Sequence, residues 1–248
     1  MKRTLLLSLV LIFALSLSAC GSKDVYPTEE PEKTMQEAEK TETKGAAYEI
    51  TYAKANTYKN SIGSTWCQTI VEITNTGADN LYLGTGNYDL EDAGGNLIAA
   101  QSTVSCFPGV LAPGEKGYMY EETTLDTEFD GELTVVPHMD VKTATVDLIR
   151  YDTSDLSVKD TEYFGVGTQG YLINNSETAI ENEMVYVVVV LYDANDIPIG
   201  LEFSILNSNI QAGEKIGFET SALSMPDTVN AGAVASTAVY AYPLQFQF

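Results

Sequence analysis

An all-β chain folded as two similar sandwich halves is predicted by three observations. From Tyr48 onward, runs of Val, Ile, Thr and Tyr alternate with clusters of Gly, Asn, Asp and Pro, and turn signals recurring roughly every ten residues are the texture of a β-sandwich. No stretch of that region sustains helical periodicity. The texture also repeats. Leu111-Ala112-Pro113-Gly114-Glu115-Lys116-Gly117-Tyr118 matches Ile210-Gln211-Ala212-Gly213-Glu214-Lys215-Ile216-Gly217, with Gly114 and Gly213 99 residues apart. Ile73-Thr74-Asn75-Thr76 matches Leu172-Ile173-Asn174-Asn175, and Asp92-Ala93-Gly94-Gly95 matches Asp193-Ala194-Asn195-Asp196 at nearly the same offset. Three landmarks in register imply a tandem repeat.

The chain opens differently. Met1-Lys2-Arg3 is basic, Leu5 to Leu17 is almost unbroken in its apolarity, and Leu17-Ser18-Ala19-Cys20-Gly21 follows. That order reads as a secretory signal over residues 1–19 with a small-residue cleavage site. The apolar run is shorter than the ~18–20 residues of a spanning helix. The segment resembles a bacterial lipoprotein lipobox, which implies export, cleavage before Cys20 and a diacylglycerol on the Cys20 thiol. Two acyl chains at one residue satisfy the two-signal requirement for stable anchoring.

Residues 20–45 read as a flexible acidic tether. Pro27-Thr28-Glu29-Glu30-Pro31-Glu32-Lys33 and Gln36-Glu37-Ala38-Glu39-Lys40-Thr41-Glu42 offer too little apolar surface to offset the entropy of ordering. A coil of that length spans on the order of 30 Å, enough to lift a folded head off a membrane.

The halves are placed at residues 46–140 and 141–248, with the join within Met139 to Lys142 and first strands at Tyr48–Tyr52 and Ala144–Tyr151. Asn75 and Asn174 end strands where an amide can cap a turn, and Asp92 and Asp193 open turns rich in Gly, Asn and Asp. Gly114 and Gly213 supply the positive φ of a tight turn. Val185 to Tyr192 is apolar on both alternating faces. It therefore reads as a central strand packed on both sides, or as one helped by a neighbouring domain. Tyr118 and Tyr120 share a face, as do Tyr240 and Tyr242. These tyrosines fit a sandwich interior with the hydroxyl reaching water, and a recognition face is the other use of such pairs.

Val189-Val190-Leu191-Tyr192-Asp193, with Ala212-Gly213-Glu214-Lys215 and Phe218, resembles the FxLYD domain of exported bacterial lipoproteins, with Val189 where the name-giving Phe would stand. The likeness covers about Glu162 to Ser221. Tyr88-Asp89-Leu90-Glu91-Asp92 in the first half is a weaker match, with Glu91 in place of Tyr. That half equally resembles telokin-like domains of similar lipoproteins. Both resemblances imply two immunoglobulin-like β-sandwiches without catalytic residues.

Composition narrows the chemistry. The chain carries 35 Asp and Glu against 13 Lys and Arg, for a net charge of −22. Loss of Lys2 and Arg3 with the signal takes this to −24. No basic patch gathers, so nucleic acid is excluded as a partner and anionic headgroups are repelled. With Cys20 lipidated, Cys67 and Cys106 remain as an even pair in an exported chain, which points to a disulfide. Their spacing of 39 residues gives a bond worth ~4 kcal/mol by loop entropy.

His138 is the only histidine, and no nucleophile elbow, zinc helix or phosphate loop accompanies it. An enzyme is not expected. Asp89, Asp92, Asp193 and Asp196 are hard-oxygen groups in acidic turns, but Ca²⁺ wants six to eight oxygens and the EF-hand spacing is missing. Ordinary hairpin turns explain them, so no metal or cofactor is assigned. The expected role is a lipid-anchored, extracytoplasmic, non-catalytic module binding a protein or cell-wall polymer. The alternative is a ligand- or cation-binding accessory of an envelope transporter or sensor.

Overall fold

The structure, a computed structural model, describes residues 46–246 apart from 61, 126–128, 130, 163–164, 182, 208 and 223. The expected signal segment, Cys20 and the expected tether lie outside the described residues. Among those described, strands are the only regular elements, and every pairing is antiparallel.

The first half holds β1 (Tyr48–Lys59), β2 (Thr65–Asn75), β3 (Leu81–Leu83), β4 (Gly86–Glu91), β5 (Leu97–Val104), β6 (Cys106–Phe107), β7 (Val110–Leu111), β8 (Lys116–Thr124), β9 (Thr134–His138) and β10 (Val141–Thr143). They form sheets in the orders β1-β2-β8-β6, β5-β4-β9 and β10-β3-β7. The second half holds β11 (Asp152–Asp160), β12 (Val166–Ile173), β13 (Val185–Tyr192), β14 (Pro198–Leu206), β15 (Lys215–Glu219) and β16 (Ser236–Pro243). Their orders are β11-β12-β15 and β14-β13-β16.

The repeat holds at the level of register. Ile73 faces Gly117 across β2 and β8, and Leu172 faces Ile216 across β12 and β15, each residue displaced by 99. The Leu81–Leu111 pairing of β3 and β7 returns as a bridge between Ile180 and Ile210. It holds at the level of atoms too. The buried Asn75 amide donates to Asp79 O and Leu111 O and accepts from Gly77 N–H. Asn174 donates to Thr178 O and Ile210 O and accepts from Ser176 N–H. Gly114 and Gly213, at φ of 78° and 73°, donate to the Asn75 and Asn174 carbonyls. Asp92 and Asp193 each accept from two backbone N–H groups of their own turn. The left-handed position of that turn is Gly95 in the first half and Asp196 in the second, aspartate being one of the few side chains that tolerates it.

The join falls later than the sequence suggests. Val141–Thr143 pairs with β3, and Ala144 N–H bonds Asn80 O at 2.8 Å. The first strand of the second half starts at Asp152, so the crossover is the irregular run 144–150. The expected strand Ala144–Tyr151 is not formed, apart from a bridge from Tyr151 to Ala241.

Each half has its own apolar core. Cys67, Val71 and Ile73 of β2 pack with Leu81, Tyr88, Leu90 and Met119 in the first. Val187 packs with Leu172, Ile180, Ile210 and Phe218 in the second, and Val189 and Leu191 pack with Val166, Met225 and Val229. The other face of β13 explains why that strand is apolar throughout. Val188, Val190 and Tyr192 pack against Ile70, Tyr118 and Tyr120 of the first half, together with Leu201 and Tyr242. The neighbouring half supplies the second cover.

Repeat-equivalent positions show that this contact is built. Ile70, Glu72, Tyr118 and Tyr120 on the covered face correspond, 99 residues on, to Gln169, Tyr171, Gly217 and Glu219. Val188, Val190 and Tyr192 correspond, 101 residues back, to Asn87, Asp89 and Glu91. The equivalent faces at the open ends are mostly polar. Polar outer faces are what terminal units of a repeat array need for solubility.

Candidate functional site

Short β6 is held to β8 by the pairs Cys106–Met119 and Phe107–Tyr118. Its alternation sends Cys106 into the first core and Phe107 toward the second half. There Phe107 stacks on Phe203, with centroids 6.2 Å apart and planes at 13°, and lies 6.4 Å from Tyr186. Tyr186 in turn stacks on Tyr242 at 6.0 Å and 16°. Arg150, from the crossover, sits 5.6 Å over the Tyr242 ring. It donates to Val110 O at 2.6 Å and to Glu115 at 3.0 Å. These groups, with Tyr82, Thr85, Ser105 and Gln245, line a cleft of about 400 Å³. No Asp, Glu or His is among the lining residues. A concave apolar site with a few polar groups is the usual form of a small-ligand pocket.

Behind the cleft, a polar layer fixes the two halves together. Glu72, 4% exposed, pairs with Lys116 at 3.0 Å and accepts from Thr51 at 2.8 Å and from Tyr118 at 3.2 Å. Tyr118 also bonds the Tyr192 hydroxyl. Tyr120 donates to Glu122 and accepts from Gln68 at 3.2 Å. Ser224 N–H, from the second half, donates to Glu122 as well. Burial raises the Tyr118 and Tyr120 hydroxyls well above the usual phenol range, so they stay protonated as donors. The tyrosine pairs singled out in the sequence thus belong to the contact between halves. Tyr118, Tyr120 and Tyr242 are buried.

The expected Cys67–Cys106 disulfide is not formed, and both residues are buried free thiols. The sheet explains this. Cys67 faces Thr123 from one side of β8, and Cys106 faces Met119 from the other. Two strand spacings of ~4.8 Å and four residues of strand rise separate them, whereas a disulfide needs Cα atoms within ~7 Å. Burial pushes the Cys67 thiol up to about 11 and Cys106 to about 12.

Asp89 meets His138 across β4 and β9 at 3.3 Å, an exposed pair away from the cleft. Asp92 is spent on Asn96 and Gly94, and the Asn96 amide and backbone hold its carboxyl below the usual range. Asp193 is spent on its turn likewise, lowered chiefly by Ile197 N–H. Asp196 occupies the left-handed position of that turn. No three His, Cys, Asp or Glu residues among those described gather at metal-binding distance.

One buried carboxylate carried no sequence signal. Glu202 on β14 is fully buried and accepts from Thr220 Oγ1 at 2.7 Å, while Oε1 has no partner among the described residues. Burial raises its pKa above the ordinary 4.5, with the Thr220 and Thr168 groups pulling partly back. The folded chain therefore holds this proton more readily than the unfolded one. Stability from this group is full below about pH 4.5 and is lost as pH rises through the folded value. Glu202→Gln, which keeps the neutral form, is expected to stabilise the fold at pH 7 and to change nothing at pH 4. Urea midpoints at the two pH values test this, and a pH-independent difference would contradict it.

No family model matches the chain, and no curated protein matches it, so its function has to be read from the geometry.

Proposed function

We propose that the protein is a lipid-anchored, non-catalytic binding module on the extracytoplasmic face of the cell envelope, made of two immunoglobulin-like β-sandwiches of which the second is FxLYD-like. The observation that carries the binding role is the aromatic cleft of about 400 Å³ between β6 and the β13–β14–β16 sheet. Its walls come from both halves, so the buried contact between them creates the site. The repeated asparagine and aspartate turns support the tandem reading, since both sandwiches rest on the same device. Export and attachment rest on Lys2, Arg3, the Leu5–Leu17 run and Cys20. A wall partner is reached through the tether.

Attachment is tested in cells with Cys20→Ala. The native chain is expected in the membrane fraction and labelled by a fatty-acid analogue. The variant is expected to lose the label and leave that fraction. A variant that stays unlabelled yet fully membrane-bound would overturn lipid anchoring.

A further inference from the structure

Resting on the binding role above, we propose that the cleft takes a neutral saccharide. Charge is the first argument. The chain has 35 acidic residues, yet none lines the cleft, so nothing there attracts a cation. The one charged lining residue, Arg150, has its charge answered by Glu115 at 3.0 Å, and its Nη groups donate to Val110 O and Ile149 O, while its buried Nε has no partner among the described residues. An anionic ligand would meet a neutralised guanidinium inside a strongly negative molecule. A neutral ligand meets no such penalty.

The walls are the second argument. Phe107 and Phe203 form one near-parallel stack, and Tyr186 and Tyr242 form another. Phe203 keeps 36% of its surface open. The negative face of an aromatic ring attracts polarised C–H groups, and the axial face of a pyranose is a row of them. The third argument is hydrogen bonding. Thr85, Ser105 and Gln245 are among the lining residues, and their side chains make no hydrogen bond to another described residue. Two hydroxyls and a carboxamide, each both donor and acceptor, suit a ligand made of hydroxyls. An apolar peptide side chain would use the rings and leave these groups idle. The volume, about 400 Å³, lies toward the small end of the range for small-molecule sites, so the occupant is a short saccharide or one segment of a longer glycan.

The test is calorimetry on the full chain in a detergent without a sugar headgroup. The titrants are neutral glucose- and N-acetylhexosamine-based oligomers, uronate oligomers of equal length, and a tripeptide with central Phe. Binding is expected from at least one neutral oligomer and not from uronates or peptide. Phe203→Ala is expected to weaken it at least tenfold, and Ser105→Ala several-fold. Near-UV dichroism verifies that each variant is folded. Ser105 is exposed, so its variant keeps the test open if Phe203→Ala unfolds. Preferred binding of the peptide or the uronates overturns the saccharide, as does unchanged affinity in both variants or silence from every neutral oligomer at millimolar concentration. A photocrosslinker at position 203 separates the two claims. If it still captures an envelope component after the sugars fail, the binding role survives without the saccharide; if it captures nothing, both fall.

Discussion

Replacing Asn75 or Asn174 with Ala is expected to cost the folded chain about 2 kcal/mol in each case, because each change removes hydrogen bonds inside a buried turn, and a backbone group left without a partner there costs ~1–3 kcal/mol. Asn75 is 1% exposed and Asn174 0%. Each amide satisfies two carbonyls and one N–H: Asp79, Leu111 and Gly77 in one half, Thr178, Ile210 and Ser176 in the other. Leu111 and Ile210 are fully buried, where water cannot replace the lost donor; Ile210 O keeps the Ile180 N–H and Gly77 N–H keeps Ala47 O, which limits the loss. Asp at either position is expected to be no better. It keeps the acceptor for the N–H, loses both donations and buries a charge. Urea unfolding of the four single variants measures the losses. If one Ala variant costs under about 1 kcal/mol while its repeat partner costs several, the two asparagines do not share the role that the geometry gives them.

Those asparagines were legible because a turn is local. A side chain that bonds its own backbone two and four residues on leaves its trace in a short string, and the string occurs twice. The same holds for Asp92 and Asp193. The two-sided cover of β13 was legible for another reason: an unbroken apolar run has nowhere to put an exposed face. What the sequence hid is set across strands. Cys67 and Cys106 stand on opposite flanks of β8, and spacing along the chain says nothing about which flank a strand joins. The cleft draws on segments around residues 82–85, 105–110, 186, 203 and 242–246, none of which is a motif alone. Among 35 acidic residues, nothing in the neighbourhood of Glu72, Glu122 or Glu202 marks them as the buried ones. Aligning the halves gives a partial signal after the fact. Where Tyr118 and Tyr120 answer to Gly217 and Glu219, and Val190 to Asp89, the repeat departs from itself on the faces that meet.

Val190→Asp puts that contact to the sharpest test. Val190 is 1% exposed and packs in the layer of Ile70, Tyr118, Tyr120, Tyr192 and Leu201. A carboxylate there has no designed partner, and the layer already buries Glu72 and Glu122. The cost of burying an unpaired charge, after relaxation, is about 4 kcal/mol. The cores within the halves contain no atom of this side chain: Val71, Leu81 and Leu90 pack in one, Leu172, Val187 and Leu191 in the other. The penalty therefore falls on the contact between halves. The native chain is expected to unfold in a single transition, since a shared apolar layer makes loss of one half expose the face of the other. Val190→Asp is expected to relieve the charge by parting the halves, and calorimetry should resolve two transitions. The cleft, walled by Phe107 on one side and Tyr186 and Phe203 on the other, should lose any binding of the proposed saccharide although none of its own residues has changed. One transition retained, with a loss under about 1 kcal/mol, would mean that the halves are joined elsewhere. In that case the polar faces at the open ends would need another cause than the ending of a two-unit stack.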